Sequence, residues 1–254
     1  MRYAYTTAPL VLALRAAAYS ADSWTFGYGF YMGPPTSGQI TKATYSIVAP
    51  SVPQGATVKD RSDEVWESVW IGVSATQSDS TNSLYQPLFN WSPDQASQGC
   101  SASADEWCVA ASTYTPTGQI GQAYVPVPKH SQVDFESMSP TPSPTPIYVE
   151  NNKVYQVVTM DGTVISRQND ALNNPLQYLY SSDECYTGSG TCGTLQGYSW
   201  NNITITLSEA DKSFGNTLYM IGSTSSDEFS TSDGGKIWHA DAVVIPTDGF
   251  TANS

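Results

Sequence analysis

The chain of 254 residues carries a net charge of −13, with 13% charged and 12% aromatic side chains, 16 prolines and 19 glycines. An acidic surface without a basic stripe excludes nucleic acid and anionic membrane as partners. The aromatic and turn-forming excess points to a turn-rich all-β protein instead of a helical one.

In chain order, Met1 to Ala21 comes first. Arg2 lies near the start, an apolar run from Ala8 to Ala18 is interrupted by Arg15, and Ala18-Tyr19-Ser20-Ala21 supplies small residues for cleavage. That is the pattern of a secretory signal, with a short amphipathic helix as the alternative. No later stretch reaches the ~20 apolar residues of a membrane span. The expectation is a secreted, monomeric chain of residues 22–254.

Asp22 to Pro35 (DSWTFGYGFYMGPP) alternates Trp24, Phe26, Tyr28 and Phe30 with smaller residues, a strand with one aromatic face. Such a face either packs in a core or stacks on a ligand, with Trp24, Tyr28 and Tyr31 as the binding candidates. Ile40 to Val48 is a second strand. The stretch from Trp66 to Trp91 holds two alternating runs, Val69 to Val73 and Leu84 to Phe89, joined by a polar loop too long for a tight hairpin.

The cysteines fall in two close pairs, each bracketing a turn-forming loop (GCSASADEWC and ECYTGSGTC). Local pairing, Cys100 to Cys108 and Cys185 to Cys192, is expected among the three connectivities, and it agrees with export. Neither spacing is that of a zinc knuckle, and His130 and His239 lie near neither pair. No metal or other cofactor is expected. Asn90-Trp91-Ser92 and Asn202-Ile203-Thr204 are glycan acceptor motifs.

Val109 to Tyr114 reads as a strand before a proline-rich passage from Pro116 to Pro146, whose SPTPSPTP (139–146) is either a loop within one domain or a linker between two. The single-domain reading is preferred. Val154 to Val158 and Thr163 to Ser166 make a hairpin about Asp161-Gly162. Leu172 to Tyr180 is ambiguous between helical turn and strand, Ser199 to Leu207 is the clearest strand, and Leu218 to Ser223 and Ile237 to Ile245 complete the set. A dozen or so short strands without a strand-helix rhythm predict an antiparallel β-sandwich with disulfide-clipped loops.

No nucleophile elbow, phosphate loop or metalloprotease helix is present. Chemistry would rest on carboxylates and amides, with Asp105, Glu106, Asp134, Glu136, Asp183, Glu184, Glu209 and Glu228 as candidate acids, most of them read as solvated loop charges. The sequence does not pair them. Trp70, Trp91 and Trp200 are either sandwich core or cleft lining.

Trp70-Ile71-Gly72-Val73 followed by Leu84-Tyr85-Gln86-Pro87-Leu88-Phe89, preceded by Thr44 to Pro53 (TYSIVAPSVP), resembles the fungal glutamic peptidases, the eqolisins, over about half the chain. The resemblance implies a concanavalin A-like sandwich and places Gln86 at the family's catalytic glutamine. There the amide stabilises the oxyanion while a glutamate serves as general base and then acid. The counterpart of the family's glutamate segment is taken as Tyr198 to Asn202, where Ser199 stands in the glutamate's place; a hydroxyl cannot fill that role. Glu106-Trp107 is similar to a non-catalytic segment of the family. Two functions therefore stand side by side: a hydrolase of extracellular polymer at acid pH, using Gln86 with Glu106 or Glu184, and a non-catalytic module that binds cell-wall carbohydrate.

Overall fold

The computed structural model describes residues 23–58, 64–77, 81–135, 147–150, 152–188, 190–222, 224–225 and 228–250. The signal-like segment 1–21, Glu136 and the run 139–146 lie outside them. The strands in the first half are β1 (Ser23–Met32), β2 (Ile40–Val48), β3 (Val65–Ser74), β4 (Leu84–Tyr85), β5 (Leu88–Trp91), β6 (Trp107–Ala110), β7 (Ser112–Thr115), β8 (Gly118–Gly121) and β9 (Val125–Val127). The rest are β10 (Gln132–Phe135), β11 (Ile147–Glu150), β12 (Lys153–Met160), β13 (Thr163–Ala171), β14 (Tyr178–Thr187), β15 (Tyr198–Leu207), β16 (Tyr219–Ile221), β17 (Thr224–Ser225) and β18 (Ile237–Ile245). One 3-10 turn spans Phe214–Thr217.

These strands form two sheets, and every pairing between named strands is antiparallel. The ten-stranded sheet runs β16-β1-β14-β3-β4-β7-β8, with β5 joining β3 to β6 and β9 beyond; the eight-stranded sheet runs β10-β12-β11-β2-β15-β18-β17, with β13 beside β12. Their facing sides share one core of Val69, Ile71, Val73, Phe89, Trp107, Tyr45, Phe135, Trp200, Ile203 and Ile205 among others. Trp200 is fully buried, edge-on to Tyr45 at 5.4 Å. Trp91 also belongs to this core, its indole donating to the Ala104 carbonyl. Both tryptophans are therefore packing residues and not part of a binding face.

The β12–β13 hairpin turns at Asp161 (φ 49°) and Gly162 (φ 78°), the positive angles a two-residue turn of this hand requires. Both local disulfides form, Cys100–Cys108 and Cys185–Cys192. The proline-rich passage supplies β8, β9 and β10.

Two readings of the sequence change. The aromatic row of β1 does not share one face, because a bulge between Phe26 and Gly29 shifts its register on β14. Trp24 and Phe26 stay outside, while Phe30 enters the core and Tyr31 takes the outer side. The stretch 172–177 is loop; from Tyr178 the chain is a central strand, so Asp183 and Glu184 are buried strand residues instead of loop charges.

Candidate functional site

β14 lies between β1 and β3, and the antiparallel register arranges the outer face of the ten-stranded sheet in cross-strand rows. The first row is Trp24, Tyr186, Trp66; the second Phe26, Glu184, Ser68, Asn90; the third Ser182, Trp70, Leu88. The fourth is Tyr31, Tyr180, Gly72 and the fifth Tyr178, Ser74, Leu84, Tyr114. Successive rows are two residues, about 7 Å, apart.

Rings dominate this surface. Tyr186 stacks on Trp66 and tilts against Trp24, with centroids 5.3 and 5.0 Å apart. At the other end Tyr31 contacts Tyr180 and stacks on Tyr219, which is 56% exposed, while Tyr178 stacks on Tyr180. Trp70, Leu84, Leu88, Tyr114 and Tyr180 form a second apolar cluster between the ends. The indole N–H groups of Trp24, Trp66 and Trp70 are buried without hydrogen-bond partners.

Gln86 stands in the fourth row. A Cβ on Gly72 would lie 2.9 Å from the Gln86 Cβ, so only glycine lets the glutamine sit there. Its backbone N–H donates to the Ser112 carbonyl, whereas both side-chain amide atoms are buried and unpartnered. The residue opposite Gly72 on β14 is Tyr180, whose hydroxyl donates to the Thr76 carbonyl. No carboxylate occupies that position.

The carboxylate on this face is Glu184, two rows away beyond Trp70. It is 1% exposed, and burial pushes its pKa to about 8, an effect the Trp70 indole offsets in part without reaching good hydrogen-bond geometry. At acid pH the group is therefore a neutral carboxylic acid.

The other nominated residues fall elsewhere. Glu106 caps the turn at Ser103, accepting from its backbone N–H and hydroxyl, which holds its pKa low; its strand neighbour Cys108 pairs with Asn90, at the end of β5 away from Gln86. Ser199 lies on β15 in the opposite sheet, so it does not occupy a position facing Gln86. Tyr28 is half-buried against Gly222 and the core. Asn90 is 6% exposed, accepting from Ser68 and donating to Gln98, and leaves no room for a glycan; Asn202, by contrast, is exposed with φ 51° at a register shift in β15. Asp105 and Glu228 are exposed, Asp134 is half-buried beside β2 and Glu209 is exposed, so none of these acids joins the face. Trp66, Tyr178 and Tyr186 were missed as face residues; their signal, even-numbered alternation along β3 and β14, becomes readable only once β14 is known to be a strand.

No family model matches the sequence, and none of the curated proteins matches it. Among solved structures the chain is similar to scytalido-glutamic peptidase bound to a transition-state analogue inhibitor, at 9% identity and TM-score 0.50, covering 89% of this chain and 99% of that one. The fold is that of the glutamic peptidases. The eqolisin SCP-B, in complex with the tripeptide Ala-Ile-His, is 8% identical with a TM-score of 0.49 over 89% of this chain and 99% of its own. Among the described residues no helix is long and apolar enough to cross a membrane, and no group of three or more His, Cys, Asp or Glu side chains is arranged to hold a metal ion.

Proposed function

We propose that this chain is a secreted, eqolisin-fold binding module that holds an extended extracellular polysaccharide against the aromatic outer face of its ten-stranded sheet, without hydrolysing it. The observation that carries the reading is the cross-strand order of that face. Tyr180, not a carboxylate, lies across Gly72 from Gln86, while half-exposed rings line the rows on either side. Peptide hydrolysis needs an acid-base group and an oxyanion donor on the same reacting carbonyl, each within about 3 Å, and glycoside hydrolysis needs a second carboxyl facing the first, which Glu184 lacks among the described residues of this face. Glu184 and Gln86 are two rows apart with the Trp70 ring between them. Flat, half-exposed rings suit stacking against sugar rings. Two local disulfides agree with export.

The test is sedimentation with insoluble glucan and chitin. Binding should be retained by Gln86→Ala and lost in a Trp24→Ala, Trp66→Ala double variant; no binding across a glycan panel would count against the module. A second reading, an acid-active hydrolase of peptide or glycan, is favoured by one feature, the neutral Glu184 carboxyl on the same face as Gln86. It requires cleavage at acid pH that both Gln86→Ala and Glu184→Gln abolish.

A further inference from the structure

The side of the ten-stranded sheet that faces the core carries a second group of carboxyls. Glu67 on β3 and Asp183 on β14 are both fully buried, and Asp248, which follows β18, is 5% exposed. Asp183 and Asp248 are neighbours across β1: their nearest oxygens lie 2.3 and 2.1 Å from the place a Gly27 Cβ would occupy. A side chain at that position would have to displace both carboxyls. Both oxygens of Glu67 and both of Asp183 are buried without a hydrogen-bond partner, as is the hydroxyl of Tyr198 at the start of β15.

Among the described residues no basic side chain forms an ion pair with these groups. Every strand of the ten-stranded sheet lacks Lys, Arg and His, and the ion pairs among the described residues, Lys129–Asp105 and His239–Asp241, lie in other parts of the molecule. The charged and titratable groups facing the cluster are its own members, Tyr198, and Glu184 behind Asp183 on the opposite face of β14. Burial, then the neighbouring carboxyls, pushes Glu67 up to about 9, and the same causes raise Asp183 and Tyr198.

Asp248 also organises the chain around it. Its carboxylate accepts from the Tyr28 and Phe250 N–H groups, and its backbone exchanges two hydrogen bonds with Leu195, just after the Cys185–Cys192 loop. The segment thereby closes one end of the sandwich, with Phe250 in the core and Thr25, Thr187, Cys192 and Gly249 lining a polar cleft of about 520 Å³ above it.

We propose that Glu67 and Asp183 are a proton-operated latch: protonated, they let the Asp248–Phe250 segment lie across the end of the sandwich, and ionised, they repel each other and the Asp248 carboxylate and release it. The folded chain keeps protons that the unfolded chain surrenders near the ordinary carboxylate range. Between that range and the raised values the native state binds more protons, so stability is full at acid pH and falls as pH rises, by up to tenfold in the folding equilibrium constant per pH unit for each such group.

The test is urea unfolding of the wild type, Glu67→Gln and Asp183→Asn from about pH 4 to about pH 9, with amide hydrogen exchange of the wild type corrected for intrinsic pH dependence. The wild type should lose stability as pH rises, and each variant should lose it less steeply. Protection at the amides of Tyr28, Leu195, Asp248 and Phe250 should fall at lower pH than protection at Ile203 and Ile205 in β15. Flat or rising wild-type stability overturns the proposal, as do variant slopes equal to the wild type. Should the variants not fold, the exchange data decide alone: simultaneous loss of protection throughout contradicts a latch at this end.

Discussion

The two sheets share a core but treat their outer faces differently. The eight-stranded sheet carries Lys42, Lys153, Arg167 and His239, and turns residues such as Val48, Lys153, Arg167 and Ile237 to solvent. The ten-stranded sheet has no basic residue, buries Trp70, Tyr180, Leu84 and Leu88 on its outer side, and places Glu67, Asp183 and Glu184 in its central strands. A sheet that is solvated on one side can satisfy its polar groups with water, while one apolar on both sides keeps polar residues only at a cost that function must justify. Gln86 and Glu184 are buried in the ten-stranded sheet with unpartnered side-chain atoms.

The largest expected effect tests the shared core. Trp200→Ala should destabilise by about 3–5 kcal/mol in urea unfolding, whereas Trp66→Ala, half-buried outside, should cost far less while removing glycan binding. A comparable loss for both would erase the distinction between core and face.

Next comes titration on the outer face. Glu184 is raised to about 8 by burial, so its protonated form is favoured in the folded state. The stability it contributes is present at acid pH and is lost between the ordinary carboxylate range and about 8. Glu184→Gln should remove one proton's share of that decline, up to ~1.4 kcal/mol per pH unit. An unchanged slope would show that the carboxyl titrates normally. Gly72→Ala should follow, at about 1–3 kcal/mol, because the new methyl meets the Gln86 Cβ, the Leu84 side chain and the Tyr85 carbonyl, each at 2.9 Å.

Smaller, and of opposite sign, is Gln86→Leu. Replacing a buried, unpartnered amide by an apolar group of similar size should be neutral or stabilising by about 1 kcal/mol; a clear destabilisation would mean that the amide is satisfied in solution. Last is a covalent mark without a stability change: expressed through a eukaryotic secretory pathway, the chain should carry a glycan at Asn202 and none at Asn90, read by peptide mass mapping.

The contrast also explains what was legible in the sequence. Ser199 to Leu207 was readable because one face of the eight-stranded sheet is solvated, so apolar and polar residues alternate. Val69 to Val73 and Leu84 to Phe89 were readable as alternating runs, and the disulfides through their spacing. β14 was not, because YLYSSDECYT puts its tyrosines on one face but Ser and an acid on both, so polarity does not alternate along it. With β14 obscured, Asp183 and Glu184 passed for loop charges, the partner strand of Gln86 was sought in β15, and the first aromatic face was drawn without its bulge. Long-range register, which local pattern does not encode, decided each of these.

Polymer binding by the aromatic face, with no part for Gln86 in cleavage, separates the two readings of this sheet. The most direct measurement incubates wild type and Gln86→Ala with casein at about pH 3, near the regime where a carboxyl acid-base would work, and with insoluble glucan and chitin. Both proteins should be retained on a polysaccharide, with no proteolysis that depends on Gln86. Robust cleavage by the wild type, abolished in Gln86→Ala, would contradict it.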